Sequence, residues 1–446
     1  MSAMPDEVKR VLEIAEESNV KFVSLWFTDV LGSLKSLEIS VDGLEEAFEH
    51  GRNFDGSSIE GFARIDESDM TAMPDPQTFT LLPWHDNGSA AVAKVFCDVQ
   101  KPSGEPSSTD PRRVLKRVLE KAADMGYTFK VGPELEYFYF KTPDLPMEGL
   151  DDGGYFDNTP PDVASELRRQ TVLALDKMGI GVDYSHHEVA PSQHEIDLHY
   201  DDALRMADNT MVYRHVVKEI ALRNGYYATF MPKPLADVNG SGMHVHQSLW
   251  SGDRNAFFSE ADEYHLSEVG KKFLAGLLMH AREITVVTNQ WVNSYKRLIP
   301  GYEAPVYVSW AQINRSDLVR IPSYREGAEG SVRMEYRAPD PACNPYLAFA
   351  VMLAAGLAGI ENDYDLPAPT QENVYKLSQD ELEARGIEIL PGSLREAIYV
   401  AEKSEVLREA LGPDMFEVLM ANKQIEWDRY RSQVTSWELD TYLAVL

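Results

Sequence analysis

The sequence predicts an α+β chain of two units, a small one over residues 1–105 and a large one over 106–446. Three observations lead there. Ahead of residue 100, apolar residues recur first at helical spacing and then in short strand-like runs. From Lys101 to Asp110 the chain is rich in Pro, Gly and Ser, the composition of a junction. Beyond it, strands and helices alternate irregularly to the end, with no internal repeat and no low-complexity segment.

In the small unit, Pro5 to Ser18 places Val8, Val11, Leu12 and Ala15 at helical spacing. Lys21 to Phe27 and Leu34 to Ile39 read as strands joined by a turn at Gly32, and Leu44 to Phe48 begins a short helix. Thr78 to Leu82 and Ala90 to Val99 read as two more strands. The loop from Phe54 to Gly61 carries Asp55 among glycines and serines, too small for core packing, although Asp-Gly and Ser-Ser are also ordinary turn chemistry. The large unit opens on a helix with Thr109 or Asp110 as N-cap, Pro111 in its first turn and Gly126 as its stop. Further helices are expected over Pro160 to Lys177 and Tyr200 to Asn224. Leu347 to Ile360 is the longest apolar run, too short for a bilayer and suited to a buried helix. Pro232 to Gly242 reads as a loop, with Asn239-Gly240-Ser241-Gly242 either admitting a ligand close to the backbone or making a flexible hairpin.

Composition narrows the function. A formal charge of −30 argues against a nucleic-acid partner and disfavours an anionic membrane surface. Only Cys97 and Cys343 occur, so neither a disulfide framework nor a cysteine metal site is expected. Met1 to Arg10 lacks the basic-then-apolar order of a signal peptide, and the chain reads as soluble and cytoplasmic.

The chemistry is concentrated in four runs that alternate polar with apolar residues. After a break at Pro191 and Ser192, Glu195 and Asp197 alternate with Ile196 and Leu198. Glu134 and Glu136 share one strand face, roughly 7 Å apart. His244 and His246 alternate with Met243 and Val245, and Glu335 lies between Arg333 and Arg337 on its own face. Any one run is explained by an amphipathic strand facing solvent; four together point to a shared cavity. There Glu134, Glu136, Glu188, Glu195 and Glu335 could stay ionised only beside cations, because burial and like charge raise carboxyl pKa values. Oxygen-rich ligation suits Mg²⁺ or Mn²⁺ better than zinc. Arg297, Arg315, Arg320, Arg333 and Arg337 lie close together in this acidic chain. They either balance surface acids or recognise carboxylate and phosphate. Acids for metals together with arginines make phosphoryl transfer from ATP a natural reading, yet no Walker or Rossmann glycine run is present.

These segments resemble those of type I glutamine synthetases, in the family's order and over nearly the whole chain. They are Asp55-Gly-Ser-Ser, Gly132-Pro-Glu-Leu-Glu, His186-His-Glu-Val-Ala-Pro, Asn239-Gly-Ser-Gly-Met-His-Val-His, Arg297-Leu-Ile-Pro-Gly-Tyr-Glu-Ala-Pro and Arg333-Met-Glu-Tyr-Arg-Ala-Pro-Asp. The resemblance implies an N-terminal β-grasp domain and a C-terminal catalytic domain whose antiparallel sheet curves into a half-barrel with flanking helices. It implies a homo-dodecamer of two hexameric rings, with active sites shared between subunits and Asp55 lent to the neighbour. It implies ligation of ammonia to glutamate by ATP through γ-glutamyl phosphate, a step of nitrogen assimilation.

Carried over by motif, one metal falls to Glu136, Glu188 and Glu195 and the other to Glu134, His244 and Glu335. Glutamate binding falls to Glu136, Asn239, Gly240, His244, Arg297, Glu303 and Arg337. The nucleotide falls to His246, Ser248, Arg315, Arg320 and Arg333. Asp55 would deprotonate ammonium, Glu303 would close the site and accept a proton, and Arg315 would stabilise the moving phosphoryl group.

The chain also departs from the family. Ser192 stands where the family has glycine, which puts the turn geometry in question. Asn373-Val-Tyr-Lys-Leu-Ser lacks the pattern around the adenylylated tyrosine, so Tyr375 is expected to stay unmodified. Arg64 resembles the feedback arginine of the α subgroup. A sibling enzyme joining glutamate to an amine or polyamine, or a non-catalytic relative acting as a structural assembly or as a regulator that sequesters other proteins, would share many of these residues; Asp55 with Ser58 speaks for ammonium, the intact ligand set speaks for catalysis, and regulatory protein partners could coexist with it.

Overall fold

In the computed structural model of the chain, residues 4–59, 69–85, 90–300, 304–312, 317–370, 372 and 374–446 are described. The first unit has helix α1 (Asp6–Glu17), which buries Val8, Val11 and Ala15, and helix α2 (Leu44–His50). Its strands are β1 (Val20–Thr28), β2 (Leu34–Ser40), β3 (Arg52–Asp55), β4 (Asp69–Pro74), β5 (Thr80–Leu81) and β6 (Ala91–Gln100). The sheet runs β2-β1-β6-β4-β3, with β5 beside β6 and a parallel β1–β6 pair at its centre, a β-grasp arrangement. Sequence reading found β1, β2 and β6 but not β3 and β4. It also started the fifth strand too early, because Pro76–Thr78 forms a 3₁₀ turn.

Among the described residues, the large sheet has ten strands. Seven follow the order β14-β15-β16-β12-β7-β9-β8, built from β7 (Thr128–Phe140), β8 (Val182–His187), β9 (Gln193–Leu198), β12 (Met243–Ser251), β14 (Tyr307–Ala311), β15 (Asp317–Arg320) and β16 (Met334–Tyr336). Short β10 (Asp201–Asp202) and β11 (Tyr227–Thr229) extend β7, and β13 (Arg254–Asn255) extends β12. The sheet curves into a half-barrel. Its pairs are antiparallel except β14–β15, which is parallel, a departure from the all-antiparallel expectation.

Flanking helices are α3 (Pro111–Asp124), α4 (Ser165–Lys177), α5 (Ala203–Arg223), α6 (Glu268–Thr288), α7 (Ser294–Arg297) and α8 (Pro345–Glu361). After them come α9 (Gln379–Ala384), α10 (Leu394–Ala401), α11 (Glu405–Leu411), α12 (Pro413–Arg431) and α13 (Ser436–Tyr442). Asp110 caps α3 through a bond from Arg112 N, with Pro111 next, as the sequence predicts. Helix α4 begins at Ser165 rather than Pro160, since Pro160 and Pro161 precede it in a turn. The apolar run of Leu347 to Ile360 lies inside α8, buried nearly throughout.

Several contacts join the units, and two of them centre on Asn344 and Arg112. Gly32 turns at φ 78° so close to α8 that a Cβ would lie 2.8 Å from Asn344 Cα. Asn344 caps α8 with its side-chain oxygen and donates its amide to Asp29 O and Val30 O, both at 3.1 Å. The guanidinium of Arg112 gathers Asp75 and Asp98 of the small unit and Asp208 of α5. Among the described residues, no helix is long and apolar enough to cross a membrane.

Candidate active site

Strand register sets the polar positions in rows across the large sheet. Glu134 on β7 faces His244 on β12 and Asp197 on β9, which in turn faces Tyr184 on β8. Two residues along, Glu136 faces Glu195, and Glu195 faces His186. Beyond β12, His246 faces Glu335 on β16, and Glu335 faces Arg320 on β15. Because side chains alternate along a strand, these rows share one face, while Leu135 and Tyr137 are wholly buried on the other. Glu188 enters from the turn between β8 and β9. Strand β9 is buried on both faces, more than the half-buried pattern its alternation suggests.

Two groups of donor atoms result, His186 with Glu188 and Glu195, and Glu134 with His246 and Glu335, each within 4.8 Å of one another. His186 Nε2 lies 2.8 Å from Glu188 and 3.3 Å from Glu195. Glu136 Oε2 accepts from Gly242 N and Gln193 Nε2, both at 2.9 Å. Glu335 accepts from Arg337 Nε at 3.1 Å and from Arg320 Nε. The two histidines of β12 differ in chemistry. Arg333 Nε donates to His246 Nδ1 at 3.1 Å, so the ring hydrogen sits on Nε2 and is given to Glu134 at 2.7 Å. His244 Nδ1 instead lies 3.5 Å from a carboxylate oxygen of both Glu134 and Glu335. Burial, then Arg337, lowers its pKa, so the ring is neutral and holds a lone pair.

Burial and the nearby Glu188 push Glu136 up to about 8. Burial, then Asp197 and Glu136, drives Glu195 well above the usual carboxylate range. Burial and Glu134 push Asp197 up to about 7. Glu134 and Glu335 go the other way: burial raises them, but the hydrogen bond from His246 at Glu134 and the guanidinium groups of Arg337 and Arg320 at Glu335 outweigh it. A half-cavity of mutually repelling acids beside a neutral imidazole is a donor set that fits hard divalent cations. His186 Nδ1 and Asp197 Oδ1 are buried with no protein partner among the described residues.

Beside Glu134 a cavity of about 290 Å³ is lined by Lys130, Tyr200, Ser248, Ser331 and Arg333. Sequence reading named Ser248 and Arg333 but missed Lys130, Tyr200, Tyr184 and Asp197 as site residues. Lys130, Asp197 and Tyr184 had a signal, since each follows the same two-residue alternation as the polar residues on its own strand; Tyr200 had none.

Arg297 is buried with its guanidinium turned to the carbonyls of Ala338 at 2.7 Å, Pro339 at 3.1 Å and Arg337 at 3.2 Å. There it lies against Gly240, beside the half-buried Asn239. Asp55 sits apart, exposed on the edge strand β3, its carboxylate accepting from Ser57 N at 2.9 Å and Oγ at 2.6 Å. Arg64, Glu303 and Arg315 lie outside the described residues.

Residues 108–442 match the family model described as glutamine synthetase, catalytic domain, and residues 19–102 match glutamine synthetase, beta-Grasp domain. A glutamine synthetase of Mycolicibacterium smegmatis is 53% identical over 439 residues, covering 98% of both chains. One from Thermotoga maritima is 51% identical, covering 98% of this chain and 99% of its own. Among solved structures, a GmaS/ADP complex superposes with a TM-score of 0.89 at 33% identity, covering 97% of this chain and 99% of that one. The chain therefore belongs to the glutamine synthetase family and is an enzyme of ATP-dependent glutamine synthesis from glutamate and ammonia.

Proposed function

We propose that the carboxylate rows hold two divalent cations, Mg²⁺ or Mn²⁺, one at Glu136, Glu188 and Glu195, the other at Glu134, His244 and Glu335. The observation that carries this is the convergence of five buried or half-buried glutamates from four segments, two of them pushed far above their ordinary pKa. His244 is the ligand rather than His246, because the hydrogen on His246 Nε2 points at Glu134. Bound there, the cations would neutralise the acids and polarise phosphate oxygens.

The protein's own groups do the rest. The cavity with Lys130, Tyr200, Ser248 and Arg333 takes the nucleotide, and the related GmaS structure is a complex with ADP. Arg320 and Arg315 stand on the phosphate side. Glutamate lies against Asn239, Gly240 and Arg337, with Arg297 holding the backbone that shapes its pocket. Its side-chain carboxylate takes the γ-phosphoryl group, and ammonia displaces phosphate from the γ-glutamyl phosphate. Asp55 reaches the site of a neighbouring subunit and takes a proton from ammonium. Its exposed position on an edge strand supports that sharing. Glu303 closes the site against water and accepts a proton after attack.

The assembly is a homo-dodecamer in the cytoplasm. The tail, with Trp437, Leu443, Val445 and Leu446 exposed, supplies apolar surface for assembly to cover. Arg64 serves direct feedback by glutamine; unchanged glutamine sensitivity in Arg64→Ala would refute that role. Phosphate release measured with glutamate, ammonium and ATP, omitting each in turn, tests the reaction. Release that needs all three supports it, and equal release without ammonium contradicts it.

A further inference from the structure

We propose that residues 149–153 form a brace, with Asp151 at its centre, that positions Glu188 and Glu195 for their cation. The turn between β8 and β9 carries Glu188 at one end and leads to Glu195 at the other. At its middle Ser192 is fully buried with φ 63°, a left-handed conformation that costs a serine on the order of 1 kcal/mol. Asp151 offsets that cost. Ser192 N donates to Asp151 Oδ1 at 2.9 Å, Ser192 Oγ donates to Asp151 O at 3.0 Å, and Asp151 N donates to Ser192 Oγ at 3.0 Å.

The same Oδ1 lies 2.9 Å from His187 Nε2, while His187 Nδ1 lies 2.7 Å from Glu188 O. The two ring nitrogens thus tie the Glu188 backbone to Asp151. The fit is close: a Cβ on Gly149 would lie 2.6 Å from Ser192 Oγ, and one on Gly153 would lie 2.7 Å from His187 Nε2. The turn also aims Gln193, whose amide reaches Glu136 at 2.9 Å and Gly240 O at 3.2 Å. Asp151 thus acts on all three acids of one cation position through backbone and side chain, without touching their carboxylates.

Asp151, His187 and His194 also bring donor atoms within 4.8 Å of one another. They are not an ion site. Arg168, paired with Asp162 at 2.6 Å, donates to His194 Nδ1 at 2.8 Å, which leaves the hydrogen on His194 Nε2. A cation there would meet that N–H group and the guanidinium.

The inference rests on the assignment of Glu188 and Glu195 as cation ligands, and its test separates the two. Mn²⁺ affinity is measured by calorimetry on the metal-free full-length protein, without nucleotide, alongside thermal unfolding. Asp151→Ala should weaken one class of Mn²⁺ site by about 10- to 100-fold, the scale for groups that orient a ligand. Asp151→Asn, which keeps an acceptor oxygen, should recover part of the loss. Ser192→Ala, which keeps its N–H bond to Asp151 but loses both Oγ bonds, should fall between and covers a failure of Asp151→Ala to fold. Glu188→Gln should abolish that site. A brace that is only structural would lower Tm with Mn²⁺ affinity unchanged in Asp151→Asn and Ser192→Ala, and that result overturns the proposal. Unchanged Mn²⁺ binding in Glu188→Gln would overturn the cation assignment itself.

Discussion

Two regions of this molecule bury several carboxylates, and they settle the electrostatic problem in opposite ways. At the junction of the two sheets, Arg112 donates to Asp208 at 3.1 and 3.0 Å, to Asp98 at 2.6 Å and to Asp75 at 2.8 Å. Lys116 takes the other oxygen of Asp98 at 2.6 Å. Burial raises the Asp98 pKa, but Arg112 and Lys116 outweigh it and hold the acid ionised. That positive charge is permanent at any ordinary pH. In the active site, Glu136, Glu188 and Glu195 have a histidine and an amide as near neighbours, and Glu136 and Glu195 are pushed up instead. The first cluster is complete in the protein alone. The second, in our proposal, takes its positive charge from solution.

The contrast breaks most visibly in activity. Glu335→Ala removes an acid shared by Arg320, Arg337 and the proposed second cation position, and ATP turnover should fall by on the order of 10³ or more. Its Tm should shift by only a few degrees; a variant with near wild-type turnover would remove Glu335 from the machinery. Arg112→Ala should do the reverse. Leaving Asp208, Asp98 and Asp75 without their guanidinium costs about 3–5 kcal/mol of stability in urea unfolding, with near-normal turnover per folded chain. Glu195→Gln sharpens the comparison further, since it relieves a buried acid. The metal-free variant should be more stable than wild type at pH 8 by about 1 kcal/mol, while Mn²⁺ binding weakens. The smallest effect concerns Tyr375, whose hydroxyl donates to Ala304 O at 2.7 Å. Intact-mass spectrometry of protein from nitrogen-replete cells should show no added AMP.

Much of this was legible in sequence because β-strand chemistry is local. Alternation alone put Glu134 with Glu136 and His244 with His246 on one face, and the register then joined them across β7 and β12. Asp110 before Pro111 marked a helix start for the same local reason. What escaped depends on distant partners. The parallel pairing of β14 with β15 leaves no mark in either strand. Strand β3 is four residues long and half exposed, too short for a pattern. The departure at Ser192 raised the question of its backbone, but its answer lay 41 residues away in Asp151. The three carbonyls that meet the Arg297 guanidinium were equally out of reach, because the fold around Ala338 sets them.

The central claim is that divalent cations make this buried acid cluster tolerable, and the dependence of Tm on pH with and without Mn²⁺ tests it most directly. Glu136 sits near 8 in the folded metal-free protein against an ordinary value of 4.5. The folded state therefore keeps a proton that the unfolded chain has released between those values. Stability of the metal-free protein should fall as pH rises from 6 toward 8, by up to about 1.4 kcal/mol per pH unit for each such group. Saturating Mn²⁺ should remove that fall, because the cation replaces the proton. Parallel curves with and without Mn²⁺ from pH 6 to 8.5 would contradict the account.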